Sequence, residues 1–377
     1  MSLCGPVRYQ RGYYYCRRCG RGLCPFDVHA GIGPHHLTPA AEELDALAGA
    51  VADSFEKGRD LLHKMAALAL SESTTQRTSE DVGQDIAERR QRGEVFGVAS
   101  DWPWGRDAQD RRVAYISIDA TGTRQQGPGG ARAEGRMAYV AAVYNPPAVE
   151  WLRRAKGQKA APVQARYLSG LYELAELGPL RRRQAAQVGM ERADVWVALT
   201  DGGSGLEHFV QSNFNRPDLV VILDFYHPTS YLEKLAHATW PHDEEKALAL
   251  AQQWCSMLKE EGGAATLAAL REWEWPPGKS KEWRKQWADT EQYFGNNAHR
   301  MEYPEYLAQG WHIGSGVVES ACKTVVGQRL KGAGKRWGEE GADALCHVRA
   351  LYRSDRGQWE AYWRGRAANW ASVQQQK

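Results

Sequence analysis

Three apolar runs in the chain end directly in an aspartate: Ile118-Asp119, Thr200-Asp201 and Leu223-Asp224. A further acid, Glu319, stands alone in GWHIGSGVVESACKTVVGQRLKGAGKRW, residues 310 to 337, where five bases follow it and no other acid occurs. Strand ends in an α/β sheet are where loops carry polar groups on a rigid frame, although a single strand-end aspartate also serves as a turn starter or helix cap. Two carboxylates held side by side repel, and at neutral pH either one takes a proton or a cation neutralises them. Hard oxygen ligands with no nearby cysteine favour Mg²⁺ or Mn²⁺ over zinc, and such a site usually needs a third acid from elsewhere in the chain. Glu319 meets that need if VVESACKTVVGQRLK is helical, because Cys322, Lys323 and Val326 then share its face and set it at the margin of the apolar side, pointing inward. The alternative is an exposed ion pair between Glu319 and Lys323.

The elements that must position these acids follow from periodicity. RVAYISIDATGTR (112 to 124), a Gly-rich turn and MAYVAAVYN (137 to 145) predict a β-hairpin. After a basic helical stretch come VWVALTDGG (195 to 203), a helix around GLEHFVQSNF, and DLVVILDFYHP (218 to 228). Apolar strands alternating with helices predict a mixed α/β sheet covered on both faces. Meander strands, then helix, strand, helix, strand and a late helix resemble the order of an RNase H-like fold, whose first strand lies centrally with the fourth beside it. That order makes Asp119 and Asp201 neighbours and moves Asp224 one strand outward. Residues 229 to 309, rich in Trp, Glu and Lys, read as an all-helical block whose tryptophans are core. SDWPWGRDAQDRR, 100 to 112, reads as a linker.

Upstream, residues 37 to 99 carry helical patterns that begin at Thr38-Pro39 and have Ser-Thr-rich junctions. They are compatible with a helix-turn-helix in which Thr74, Thr75, Gln76 and Arg77 touch DNA, or with a plain helical bundle. Residues 1 to 36 hold Cys4, Cys16, Cys19 and Cys24. Cys16-Arg17-Arg18-Cys19-Gly20 has the spacing of half a zinc ribbon, and Cys4 and Cys24 are the candidates for completing a Zn²⁺ site. Cys255, Cys322 and Cys346 sit in apolar helical settings and read as packing.

The net charge of +2 announces no polyanion partner, but the bases are clustered. One cluster includes Arg17 and Arg18; a second holds Arg153, Arg154, Lys156, Lys159 and Arg166; a third holds Lys323, Arg329, Lys331, Lys335 and Arg336. Local basic patches in a near-neutral chain fit a phosphate backbone, held by counterion release, or simply a solvated surface. No apolar run approaches the roughly 20 residues of a bilayer crossing, and the opening MSLCGPVRYQRG lacks an h-region, so the expected location is cytoplasmic, with nucleoid association when bound and no membrane partner. GAGKRW lacks the spacing of a phosphate-binding P-loop, and no G-x-S-x-G elbow surrounds Ser204 or Ser315.

IDATGTR, LTDGGSGL, LDFYHPTSYL and GWHIGSGVVESACKTVVGQRLKGAGKRWGEEGADALCHVRAL together resemble the DDE transposases of bacterial insertion sequences, nearest to the Kra-type group and more distantly to Mutator-like transposases. The resemblance runs from YYYCRRCG to the C-terminal YW; its last motif is long and specific. It implies a catalytic triad of Asp119, Asp201 and Glu319 holding two Mg²⁺ or Mn²⁺ ions, with Asp224 and His227 as an accessory Asp-x-x-His motif. A rival assignment makes Asp224 the second ligand. It implies DNA as partner, contacted by Arg17, Arg18, Arg77, Lys323, Arg329, Lys331, Lys335 and Arg336, and self-association to at least a dimer. The organisation then reads as a Cys module (1-36), a helical DNA-binding region (37-99), a first part of the catalytic core (110-228), an all-α insertion (229-309) and a final helical part (310-377). This chain departs from the family at Ala120, where glycine commonly follows the first Asp, and in a shorter N-terminal region without a further Cys pair, as if it starts late. Two other readings stand beside transposition: a non-catalytic DNA-binding derivative of a transposase, and a nuclease of the same fold that cuts without joining.

Overall fold

The computed structural model describes residues 1–146, 163–203, 205–275 and 277–372. Arg153, Arg154, Lys156 and Lys159 of the second basic cluster, and Ser204, lie outside them.

The fold is mixed α/β around one large sheet in the order β6-β5-β4-β7-β8, with the short β3 (Gly105–Arg106) pairing β4. β4 (Arg112–Thr123), β5 (Arg136–Asn145) and β6 (Gln164–Gly170) form an antiparallel meander; β7 (Val195–Thr200) and β8 (Leu219–Leu223) run parallel to β4. A separate hairpin, β1 (Tyr14–Cys16) with β2 (Arg21–Leu23), carries the Cys16 and Cys19 turn. The central strands are apolar without alternation because both faces are covered. Val113 and Tyr115 of β4 pack with helices Tyr226–Thr239, Glu244–Glu272 and Lys281–Asn297. Ala114, Ile116 and Ile118 point to the other face, against helices Leu174–Gln187 and Leu206–Asn213. Among the described residues no helix is long and apolar enough to cross a membrane.

Beyond the end of the first layer, Ala138 and Val140 of β5 are covered by the late helix, built from Gly316–Ala321, a π-helical turn Cys322–Gly327 and Gln328–Leu330, and by helix Glu339–Arg353. The N-terminal helices Pro39–Val51, Phe55–Ala66 and Glu72–Gln91 pack onto this layer rather than standing apart from it. Helix Glu72–Gln91 crosses Glu339–Arg353 at Gly83, where an added Cβ would lie 2.2 Å from the Ala344 carbonyl oxygen. Backbone cannot yield as a side-chain tip can, so Gly83→Ala is expected to lower stability by about 2 kcal/mol, read from the midpoint of denaturant unfolding with an unchanged slope.

Two expectations are corrected here. Residues 100 to 112 are no linker: Trp102 and Trp104 are buried, Trp104 Nε1 donates to the Gly189 carbonyl at 3.0 Å, and β3 extends the sheet. Tryptophan side chains this large bind the segment to the core despite its prolines. Thr75 is fully buried on the bundle side of its helix and cannot meet DNA, whereas Gln76 and Arg77 are exposed.

Candidate active site

Register brings the three aspartates into line. Ile118 pairs with Thr200 and Thr200 with Leu223, so Asp119, Asp201 and Asp224 each follow the last residue of the parallel pairing at one level, but Asp119 does not end its strand as expected: β4 continues to Thr123, still paired with β5. Neighbouring strands are spaced by about 4.8 Å, which makes Asp119 and Asp201 immediate neighbours and Asp224 one step further out. Asp119 is directly opposite Val140 on β5, and opposed residues of an antiparallel pair share a face. That face is the one the late helix covers, since Val140 packs with Val318, Ala321 and Cys322.

The side chains differ in their surroundings. Asp119 Oδ1 accepts from the Ala120 N–H at 2.6 Å, and Oδ2 accepts from the Cys322 thiol at 3.3 Å. Burial raises the Asp119 carboxyl above its ordinary value; the Ala120 N–H and Cys322 thiol counter this, the charge of Asp201 adds to it, and His227 opposes it. Burial, together with the Asp119 charge, pushes the Cys322 thiol far up, so it stays protonated and donates. Asp201 is half-buried, its Oδ1 accepts from the Gly203 N–H at 2.9 Å, and its backbone carbonyl accepts from Tyr293 OH at 3.2 Å. Gly202 sits at φ 78° with Tyr293 OH only 2.8 Å from where a Cβ would be, so this loop needs glycine on two counts.

Asp224 is nine-tenths buried and already employed. Its Oδ1 accepts from the Ser315 N–H at 2.8 Å, and the next residue, Phe225, donates its N–H to Ile313 at 2.9 Å. Asp224 therefore fixes the backbone from which the late helix starts, and burial raises its carboxyl against the pull of those Ser315 contacts. His227 is exposed and influences both Asp119 and Asp224.

Glu319 departs from expectation in direction. It is exposed, it forms no ion pair with Lys323, and its carboxylate has no hydrogen-bond partner among the described residues. The inward position one turn later belongs to Cys322. Among the described residues no three His, Cys, Asp or Glu side chains are gathered closely enough to hold a metal ion. The donor set nevertheless suits a hard cation: two neighbouring half-buried carboxylates and a third acid on the helix whose Cys322 touches Asp119.

The bases sort by exposure. Lys323, Lys331 and Arg336 are exposed, and Lys331 Nζ donates to Thr121 Oγ1 at 2.7 Å, which ties the basic end of the late helix to β4 just past Asp119. Lys335 is half-buried and donates to the Arg329 carbonyl at 3.0 Å. Arg329 itself is corrected: only 2% exposed, it donates to the Gly49 and Asp53 carbonyls and lies between the rings of Phe55 and Trp337, so no phosphate can reach it. Arg166 is likewise buried, paired with Asp355 at 2.7 Å. Arg17, Arg18 and Arg77 are exposed.

In the N-terminal hairpin Cys16 and Cys19 flank an exposed turn closed by the Gly20 N–H to the Cys16 carbonyl at 2.9 Å. The Cys19 N–H and thiol lower the Cys16 thiol, the direction that favours metal ligation. Cys4 is exposed, Cys24 half-buried, and neither joins that pair in a group of three.

No protein-family model matches the chain, and no curated protein does. The functional reading therefore rests on the strand ends and the helix laid over them. The contributors that sequence reasoning missed are Cys322, Ser315 and Tyr293. Cys322 alone carried a sequence signal, since it follows Glu319 by three residues and so shares its helix face.

Proposed function

We propose that the chain is a DDE-type transposase with an RNase H-like catalytic core, cutting DNA strands and transferring them to a new phosphodiester. The observation that carries the reading is the level placement of Asp119 and Asp201 where the parallel pairing of two adjacent strands stops, with the Glu319 helix anchored over them through Cys322 and Ser315. The strand order, a meander followed by two strands parallel to its first, supports the RNase H-like assignment.

Asp119, Asp201 and Glu319 would hold divalent magnesium or manganese, which when bound would supply the charge to activate a water or a DNA 3′-hydroxyl for in-line attack. The chain's own residues do the rest. Asp224 holds the start of the late helix, the Cys322 thiol orients Asp119, and Lys323, Lys331 and Arg336 offer cations to the strand on either side of the cut. Partition of the transferred strand between water and DNA separates a transposase from a nuclease.

The test is purified protein with Mg²⁺ and duplexes carrying the DNA sequences that flank the gene. Nicking and joined products are expected, and Asp201→Ala is expected to reduce both by at least about 10³-fold while duplex binding persists. Cutting without joining points to the nuclease, and binding without cutting to the non-catalytic derivative. Activity surviving in Asp201→Ala but lost in Asp224→Asn, with Asp224→Asn still natively folded, transfers the second ligand to Asp224.

A further inference from the structure

Beside the carboxylates lies a row of aromatic rings that the chemistry above does not use. Tyr226 is 64% exposed, two residues past Asp224, and its ring rests on Gly314, where a Cβ would come within 3.0 Å of Cε2. The Gly314-Ser315-Gly316 stretch thus lets the backbone leading to Glu319 run directly beneath an exposed tyrosine. His227, also exposed, is next. Its ring lies 6.5 Å from that of Tyr293 at 26°, and Tyr293 stacks on Tyr231 at 4.1 Å and 16°. His227, Tyr231 and Lys234 are spaced i, i+4 and i+7 on helix Tyr226–Thr239, so they share one stripe, and Lys234 Nζ stands 5.5 Å from the Tyr231 ring centre. Tyr293 is tied to the Asp201 carbonyl, which fixes the row relative to the strand ends.

Rings packed only to join two helices are buried between them. Tyr231 and Tyr293 are largely so placed, but Tyr226 and His227 present ring surface to solvent at the rim of an acidic site. Exposed aromatics followed by a lysine are the arrangement that binds single-stranded nucleic acid, bases stacking on rings and a cation meeting the backbone.

Resting on the reading of this site as one that cuts DNA, we infer that Tyr226, seated on Gly314 and Phe225, and His227, braced by Tyr293 and Tyr231, form a stacking platform for unpaired nucleobases next to the cut phosphodiester, with Lys234 taking a backbone phosphate. The platform gives the site a preference for frayed or single-stranded DNA over closed duplex.

The experiment uses the full chain in chelator with two probes: a short single-stranded DNA containing aminopurine, and a blunt duplex. Aminopurine fluorescence is expected to be quenched on binding. Tyr226→Ala is expected to weaken single-strand binding about ten-fold and remove the quenching, Tyr226→Phe to retain both, and duplex affinity to stay unchanged in each. Lys234→Ala is expected to lower the slope of log affinity against log salt by about one for the single strand. Wild-type affinity and quenching in Tyr226→Ala overturn the platform while leaving the enzyme reading intact. Failure of the wild-type chain to bind either probe overturns both.

Discussion

Asp119→Asn is expected to move activity and stability in opposite directions. Asparagine keeps the shape and one oxygen for the Ala120 N–H or Cys322 thiol, but it removes the charge. DNA cutting with Mg²⁺ is expected to fall by at least about 10³-fold, because a neutral amide is a far weaker ligand than a carboxylate for the divalent cation that neutralises the negative charge developing on the phosphate oxygens. Thermal stability in chelator is expected to rise. Burial, with the Asp201 charge adding to it, raises the Asp119 carboxyl in the folded chain above its unfolded value. A carboxyl raised in this way binds more protons folded than unfolded, so stability is lost as pH climbs from the ordinary carboxylate value through the folded one. Above the folded value that cost is fully present, and the asparagine abolishes it. The gain is on the order of 1 kcal/mol, about 1 to 2 °C in a chain of this size, and it should shrink as the pH is lowered toward the range where Asp119 itself is protonated. Added Mg²⁺ should raise the melting temperature of the wild-type chain and leave Asp119→Asn unmoved, since a ligand stabilises only the state that binds it. A variant that is inactive and less stable at neutral pH would mean that Asp119 is held by partners needing its charge, and the site would have to be redrawn.

How much of this was legible follows from what each residue's environment contains. The strands and the aspartates after Thr200 and Leu223 were readable because VWVALT and LVVIL are apolar runs that stop at one acid each, whereas β4 runs on past VAYISI and Asp119 to Thr123. The side-by-side placement of Asp119 and Asp201 followed from element order, because parallel neighbours in register bring equivalent ends together. Direction within the late helix was not readable. The buried stripe runs through Val318, Ala321, Cys322, Val325 and Val326 at helical spacing, which leaves Glu319 one residue off it and exposed, so the Cys322 thiol takes the inward place. Arg329 misled for another reason. Composition counts a guanidinium as surface charge, whereas backbone carbonyls that can hold it buried appear only once helices from distant parts of the chain are packed. Trp102 and Trp104 were hidden by neighbouring proline and glycine, which signal a loop but do not say whether its aromatics are anchored.

The largest loss of stability is expected at Arg349. It is 2% exposed, lies on helix Glu339–Arg353, and donates to three backbone carbonyls: Thr324 and Val325 in the π-helical turn, and Ala50 at the end of helix Pro39–Val51. No acid pairs with it among these contacts, and burial pulls its guanidinium down to about 10, still charged at neutral pH. The charge is therefore neutralised only by carbonyl dipoles, and those carbonyls depend on it in turn. Arg349→Ala leaves three acceptors facing a cavity and is expected to cost about 4 kcal/mol in denaturant unfolding. Arg349→Lys keeps the charge but has no planar fork to reach three carbonyls, so it should fall between the two. Because the same guanidinium joins the N-terminal helices to the turn that carries Cys322 toward Asp119, its loss should also loosen the site. Cutting activity is expected to fall in Arg349→Lys even under conditions where that variant remains folded, and magnesium stabilisation should weaken in parallel. Full activity in a folded Arg349→Lys would separate the N-terminal helices from the catalytic geometry and confine Arg349 to holding the layer together.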